Sequence, residues 1–359
     1  MKTDTEYEKL IRQEIRSLEP YRSPAFDCRI KLDLNESPFD IPAELKDRIY
    51  EKARGLNWHR YHDEFEPVLK KQLAEHDSHL TEGVLIGNGS NALIFHALLA
   101  SVGAGDAVVF PEPTFSLYRQ NVTVLGGNPA AFRLREKDFS LDEEQAVALV
   151  EKSGAAAVVL CSPNNPTGNR ISNAAIERIA GSAEALVIVD EAYTHFAEDS
   201  AFELLAKYPN LILLRTFSKA FGLAGLRFGY ALCAPELAHE IVKVQLPHHV
   251  SFFTQLAALT MLEEPLLVEE RVAEIKRGRR YLQERLAHLP GIRPLASETN
   301  FILIECGEKP AAEVFNGLLK LGVLIRNVSG YPGLSRYLRI TVGKPAENEA
   351  LIAALEEVL

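Results

Sequence analysis

The sequence predicts an α/β protein: a mostly parallel seven-stranded sheet flanked by helices, with a smaller α+β domain attached. Three observations carry that prediction. Between about residues 84 and 234, short apolar runs alternate with helix-length amphipathic stretches. Several runs, such as AAAVVLC and ALVIVD, are apolar on both faces, as strands covered by helices on both sides must be. Near residue 262 the alternation stops and a pattern of different character begins.

The first 45 residues, with Pro20, Pro24, Pro38 and Pro42, stay outside the sheet pattern and are expected to lie against the second domain. Their start, MKTDTEYEKLIRQEIRSLEP, is charged and helix-like and has no apolar stretch of signal-peptide type. Strands are expected at 84–87, 107–110, 129–134, 155–161, 185–190, 211–215 and 228–233. Helices such as SNALIFHALLASVG, SLDEEQAVALVEKSG and SNAAIERIAGSAE fill the gaps, with Gly where C-caps belong. One long helix is expected over 266–289, where apolar residues recur at three- and four-residue spacing. Strands NFILIEC, GVLIR and YLRITVG and helices AAEVFNGLLKLG and NEALIAALEEVL complete the second unit. The expected domains are 46–262 and, for the smaller one, 1–45 together with 263–359.

A length of 359 residues agrees with two domains at roughly 150 residues each. Hydrophobic residues at 47% and charged residues at 25% provide ample core, and exclude disordered, collagen-like and disulfide-stapled chains. A net charge of −10 leaves no electrostatic footprint for nucleic acid. Cys28, Cys161, Cys233 and Cys306 are scattered, so neither a metal site nor a disulfide framework is expected. No run of about 18 apolar residues is present, so no membrane span is expected and a cytoplasmic location follows.

Five segments carry chemistry. Gly87-Asn88-Gly89-Ser90-Asn91-Ala92 follows a strand and opens a helix, with Glu112 ending the next strand. It suits a dinucleotide, another phosphate or a plain helix-starting turn, all three sharing free N–H groups at a helix N-terminus. Ser162-Pro163-Asn164-Asn165-Pro166-Thr167-Gly168 places an Asn amide at the C-terminal edge of the sheet, or is simple turn chemistry. Asp190, ending ALVIV ahead of Glu191-Ala192-Tyr193, must be paired with a cation or cap the next segment, because an isolated buried carboxylate is costly. Arg215-Thr216-Phe217-Ser218-Lys219 and the following AFGLAGLR gather hydroxyls, Lys219 and Arg227 among small residues; a lone Lys there would otherwise snorkel to solvent. Pro113-Thr114-Phe115 brings an aromatic to the same edge.

Taken in this order and spacing, NNPTG, DEAY and SKAFGLAGLR resemble the fold-type I pyridoxal-phosphate aminotransferases of classes I and II, over nearly the whole chain. The dinucleotide reading leaves the three later motifs unexplained. The resemblance implies pyridoxal 5'-phosphate as cofactor, held as a Schiff base by Lys219, whose amine then relays a proton between the substrate α-carbon and the cofactor. It implies that Asp190 pairs with the pyridinium nitrogen, that Tyr193 and Asn165 bond the phenolic oxygen, and that Phe115 stacks on the ring. Ser90, Asn91, Thr216, Ser218 and Arg227 would hold the phosphate, with Tyr61 reaching it from the partner subunit of a homodimer with shared sites. On sequence alone Tyr61 could equally be an aromatic in an interdomain loop. Two departures stand out: Asn91-Ala92 where the subgroup usually carries Asp-Glu, and His62 where Pro often follows the Arg-Tyr pair.

Within the family the chain is most similar to the histidinol-phosphate aminotransferase subgroup. The similarity rests on Pro20-Tyr21, Leu34-Asn35-Glu36-Ser37-Pro38, Arg60-Tyr61-His62-Asp63 and Leu338-Arg339-Ile340-Thr341-Val342-Gly343. It implies an amine donor and a 2-oxo acid as substrates, Arg339 and Arg326 on the substrate anion, and Tyr21 and Asn35 beside it. Two cations suit a phosphate ester better than a lone carboxylate. Arg326 could instead be a surface residue at a strand end. An aromatic or branched-chain aminotransferase and a phospho-amino-acid decarboxylase fit the same motifs. A non-catalytic regulator would need an appended DNA-binding module, for which there is no basic segment.

Overall fold

The computed structural model describes residues 8–20, 26–182 and 184–359. Twelve strands are found among them: β1 (Ile30–Leu32), β2 (Val84–Gly87), β3 (Ala107–Glu112), β4 (Asn128–Arg133), β5 (Ala157–Cys161), β6 (Leu186–Asp190), β7 (Leu211–Thr216), β8 (Gly229–Cys233), β9 (Ile292–Pro294), β10 (Phe301–Cys306), β11 (Val323–Asn327) and β12 (Tyr337–Thr341). The larger sheet has seven strands in the order β2-β8-β7-β6-β5-β3-β4. Its neighbours run parallel from β7 through β4, while β8 is antiparallel to both β2 and β7. The reversal has a local cause. Helices lie between successive parallel strands through most of the sheet, but β7 returns to β8 through the short SKAFGLAGLR loop, and only antiparallel strands can be joined so directly. Every residue of β5, β6, β7 and β8 is buried, as their two-sided apolarity requires.

The smaller sheet runs β1-β11-β12-β10-β9, antiparallel except for the parallel pair β1 and β11. The N-terminal segment thus does more than lie against this unit. Ile30, Lys31 and Leu32 pair with Val323, Leu324 and Ile325. A three-residue strand is too short for alternation to reveal. The long helix spans Pro265–Ala287, close to its expected range. One apolar core runs through both units, joining Leu69, Phe217 and Phe228 to Ile302, Ile340 and Leu351. The cleft between the sheets therefore has continuous packing behind it. Among the described residues, no helix is long and apolar enough to cross a membrane.

Candidate active site

Ligands of open α/β sheets sit beyond the carboxyl ends of the strands. Here a cavity of about 480 Å³ lies at that edge. The larger sheet and its loops bring Ser90, Asn91, Phe115, Asn165, Asp190, Tyr193, Thr216, Ser218, Lys219 and Arg227 to its wall. Asn35, Arg326 and Arg339 line it from the smaller unit. Residues spread over more than 300 positions of the chain thus meet in one place.

Asp190 ends β6 and is 4% exposed. Its Oδ2 accepts a hydrogen bond from the Tyr118 hydroxyl at 2.7 Å, and its Oδ1 accepts from the Ala192 N–H at 3.1 Å. Burial raises its carboxyl above the usual range, although both hydrogen bonds oppose the shift. Tyr118 is itself fully buried, and burial beside Asp190 pushes its phenol well up, so it remains a donor. A carboxylate in this position gains from a cation in the cavity, which a pyridinium N–H would supply.

Lys219 follows β7 and the Thr216–Ser218 turn. Its Nζ donates to the Leu34 carbonyl at 3.1 Å and lies 5.9 Å from the centroid of the Tyr193 ring. Burial, aided by the nearby Arg339 charge and opposed by Glu36, pulls the amine down to about 7. A neutral amine near physiological pH is a competent nucleophile and base. The Tyr193 hydroxyl accepts from Asn35 Nδ2 at 2.9 Å, and its ring stands edge-on to Phe301 at 5.2 Å. Asn35 is fixed in turn by Thr341 and Asn300, so its amide serves chiefly to hold Tyr193. Asn165 Oδ1 accepts from Arg339 Nη1 at 2.6 Å. The preceding Asn164 is turned away, bonded to Thr114, Pro113 and Thr167, and pins the NNPTG loop.

A further corner is shaped for an anion. The helix Ser90–Ser101 begins after Gly89, whose φ of 78° suits glycine. A Cβ on Gly89 would stand 2.5 Å from an Arg227 guanidinium nitrogen, and one on Gly229 would stand 2.4 Å from the Ser90 nitrogen. Both glycines let charged and N–H groups crowd together. Arg227 Nη1 donates to Ser218 Oγ at 3.2 Å, and Thr216 Oγ1 donates to the same oxygen at 3.0 Å. Helix N–H groups, two hydroxyls and an Arg make a cradle for a phosphate dianion. Phe115 forms part of the wall, edge-on to Tyr118 at 5.6 Å. The residue set therefore fits pyridoxal phosphate: an amine for the aldehyde, a buried acid for the ring nitrogen and a cradle for the phosphate.

On the opposite wall, Arg326 and Arg339 are direct cross-strand partners on β11 and β12. Like charges directly opposite each other are destabilising unless an anion sits between them. Arg339 Nη2 donates to the Asp33 carbonyl at 2.6 Å. Arg326 makes no hydrogen bond or ion pair with the described residues and lines the cavity.

One expected site residue is not in this cavity. Tyr61 is 78% exposed, stacked on His248 at 4.1 Å in a separate surface cleft of about 590 Å³. Tyr21 lies outside the described residues. Two further lining residues carry no expected role: Tyr331, in a loop rich in Gly and Pro, and Glu36, which belongs to the Leu34–Pro38 segment of the resemblance. Tyr118 belongs to none of the sequence motifs and sits on the helix Leu117–Leu125.

Comparison with known proteins agrees with this geometry. Residues 29–355 match the family model described as aminotransferase class I and II. The histidinol-phosphate aminotransferase of Chlorobaculum parvum is 38% identical over 362 residues, covering 99% of each chain. That of Thermoanaerobacter pseudethanolicus is 37% identical over 352 residues, covering 98% of this chain and 99% of the relative. Among solved structures, histidinol-phosphate aminotransferase from Sinorhizobium meliloti in complex with pyridoxal-5'-phosphate superposes with a TM-score of 0.87 at 30% identity, covering 97% of each chain. The chain belongs to the class I and II aminotransferase family.

Proposed function

We propose that this chain moves the amino group of L-histidinol phosphate to 2-oxoglutarate, giving imidazole acetol phosphate and L-glutamate. The observation that carries the substrate choice is the directly opposed pair Arg326 and Arg339 on the cavity wall. Each charge-assisted hydrogen bond to an anion contributes about 1.5–3 kcal/mol, and a phosphate ester can accept from both guanidinium groups. The relatives' names support the same substrate.

Pyridoxal phosphate supplies the electron sink that takes up the charge left when the donor's Cα–H bond breaks. The protein does the rest. Lys219 Nζ, its basicity lowered by burial to about 7, would carry the proton from the donor's Cα to C4′ of the cofactor. The Asp190 carboxylate, fixed by Tyr118 and Ala192, holds a proton at the ring nitrogen. Tyr193 and Asn165 orient the phenolic oxygen, while Arg227, Ser218, Thr216 and the Ser90–Asn91 N–H groups anchor the phosphate. The two sheets are read as the cores of domains 46–262 and 1–45 with 263–359, whose cleft holds the substrate.

The working unit is read as a cytoplasmic homodimer in which Tyr61 completes the partner's phosphate site. Its exposure supports this reading, together with that of Trp58 and Leu246, 65% and 72% exposed. Mixed dimers of Tyr61→Phe and Lys219→Ala chains should recover part of the activity missing from either parent. Exchanged dimers with no recovery would contradict the shared site. The substrate assignment is tested by a spectrophotometric screen of amine donors against 2-oxoglutarate. Histidinol phosphate should give the highest kcat/KM; a preference for phenylalanine or tyrosine, or carbon dioxide release from a phospho-amino acid, would overturn it.

A further inference from the structure

Beneath the cofactor edge of the larger sheet lies a buried polar row that the chemistry above does not use. Glu191 directly follows Asp190, the last residue of β6, and continues the ladder, its N–H donating to the Leu214 carbonyl of β7 at 2.8 Å. Its side chain, 2% exposed, accepts from Arg215 Nε at 3.1 Å and from Arg215 Nη2 at 3.1 Å. Arg215, on β7, stands opposite Tyr230 of β8 in the antiparallel register. Arg215 and Tyr230 both bond Asp77, at the end of the helix Phe65–Asp77; the Tyr230 hydroxyl donates to Asp77 Oδ2 at 2.7 Å. Glu191 is held further by the Ser200 hydroxyl at 2.8 Å and the Ala201 N–H at 2.7 Å.

Successive strand residues point to opposite faces. The row therefore faces away from the cavity, while the residue beside each member faces it. Next to Glu191 is Asp190. Next to Arg215 is Thr216, followed by Ser218 and Lys219. Next to Tyr230 is Gly229, which pairs with Thr216 and abuts the Ser90 nitrogen. Three adjacent strand ends thus carry the acid for the ring nitrogen, the amine with its hydroxyl pair, and the phosphate cradle. A buried ion cluster is weak evidence for stability, since desolvation offsets the attraction. What it does provide is directional bonding between three strands at one level.

We propose that Glu191, Arg215, Tyr230 and Asp77 are positioning residues, which fix the spacing between the three strand ends that meet the cofactor. The proposal rests on the cofactor assignment and not on the identity of the amine donor. It predicts a division of labour. Cutting the β6–β7 link changes how the acid sits relative to the amine, and so acts on turnover. Cutting the link to β8 loosens the phosphate cradle, and so acts on cofactor affinity.

Glu191→Gln and Asp77→Asn each leave Arg215 one charged partner, and Tyr230→Phe removes only a hydroxyl; together they cover a variant that fails to fold. For each, the dissociation constant of pyridoxal phosphate is measured by equilibrium dialysis of the apoprotein. Apoprotein melting is followed by calorimetry, and kcat is measured at saturating cofactor. Glu191→Gln should lower kcat roughly tenfold with little change in cofactor affinity, as expected for one weakened charge-assisted bond. Asp77→Asn and Tyr230→Phe should raise the cofactor dissociation constant roughly three- to tenfold, while kcat at saturation stays within about twofold. Losses of kcat and affinity that only track the melting temperature, or no loss in any variant, would overturn the proposal. Failure of the wild-type apoprotein to bind pyridoxal phosphate would instead sink the cofactor assignment.

Discussion

The two walls of the cavity are built on different principles. On the larger sheet, polar groups are already satisfied by the protein: Asp190 by Tyr118 and Ala192, Ser218 by Thr216 and Arg227, Tyr193 by Asn35. On the smaller sheet, Arg326 and Arg339 face each other across β11 and β12, Arg339 donating to Asn165 Oδ1 and to the Asp33 carbonyl while Arg326 lines the cavity. The first wall is organised before anything binds. The second stores like-charge repulsion that an anion relieves. A cofactor that stays bound suits the first arrangement, and a substrate that must leave suits the second.

The largest effect that could break this contrast is at Lys219. Lys219→Ala should lower turnover by roughly 10⁴-fold or more, since it removes the group proposed as both covalent anchor and proton carrier. Circular dichroism should show the fold retained. Substantial activity in that variant would remove the organised wall from the chemistry altogether.

Asp190→Asn comes next. It keeps the size of the side chain and can still bond Tyr118, but it cannot balance a pyridinium charge. Single-turnover rates should fall roughly 100-fold or more while the cofactor is still taken up. A near-normal rate would show that the acid only holds the loop after β6.

A smaller effect follows from the acidity of Lys219, which burial brings down to about 7. Below that value the amine is protonated and cannot attack an aldehyde. The rate at which apoprotein captures pyridoxal phosphate should therefore rise with pH, about tenfold per pH unit, and level off above 7. The same shift makes the unfolded chain the better proton binder between 7 and the ordinary lysine range, so this group's contribution to apoprotein stability rises with pH across that window. A capture rate still climbing at pH 9 would mean that the cavity does not depress this amine.

The organised wall was largely legible in the sequence because its residues come in short motifs at strand ends. The apolar runs place the strands, and the NNPTG, DEAY and SKAFGLAGLR segments follow them directly. What stayed hidden depends on register and long-range contact. Tyr118 meets Asp190 across 72 positions from an unremarked helix. Arg326 and Arg339 can each be placed near a strand end, but only the pairing of β11 with β12 sets them opposite each other. β1 is too short for periodicity, and its parallel pairing with β11 is what carries Leu34 and Asn35 to Lys219 and Tyr193. The polar row under the cofactor edge was invisible for the same reason, since Asp77 and Arg215 are 138 positions apart.

The contrast between the walls rests finally on whether the opposed arginines read a phosphate. The direct measurement is kcat and KM of Arg326→Ala with histidinol phosphate and with an uncharged aromatic amine, at saturating 2-oxoglutarate. Losing one charge-assisted contact should raise KM for histidinol phosphate roughly tenfold or more, with the aromatic amine little affected. Equal losses for both donors would show that Arg326 supports the sheet rather than the substrate, and the assignment of a phosphorylated amine donor would fall with it.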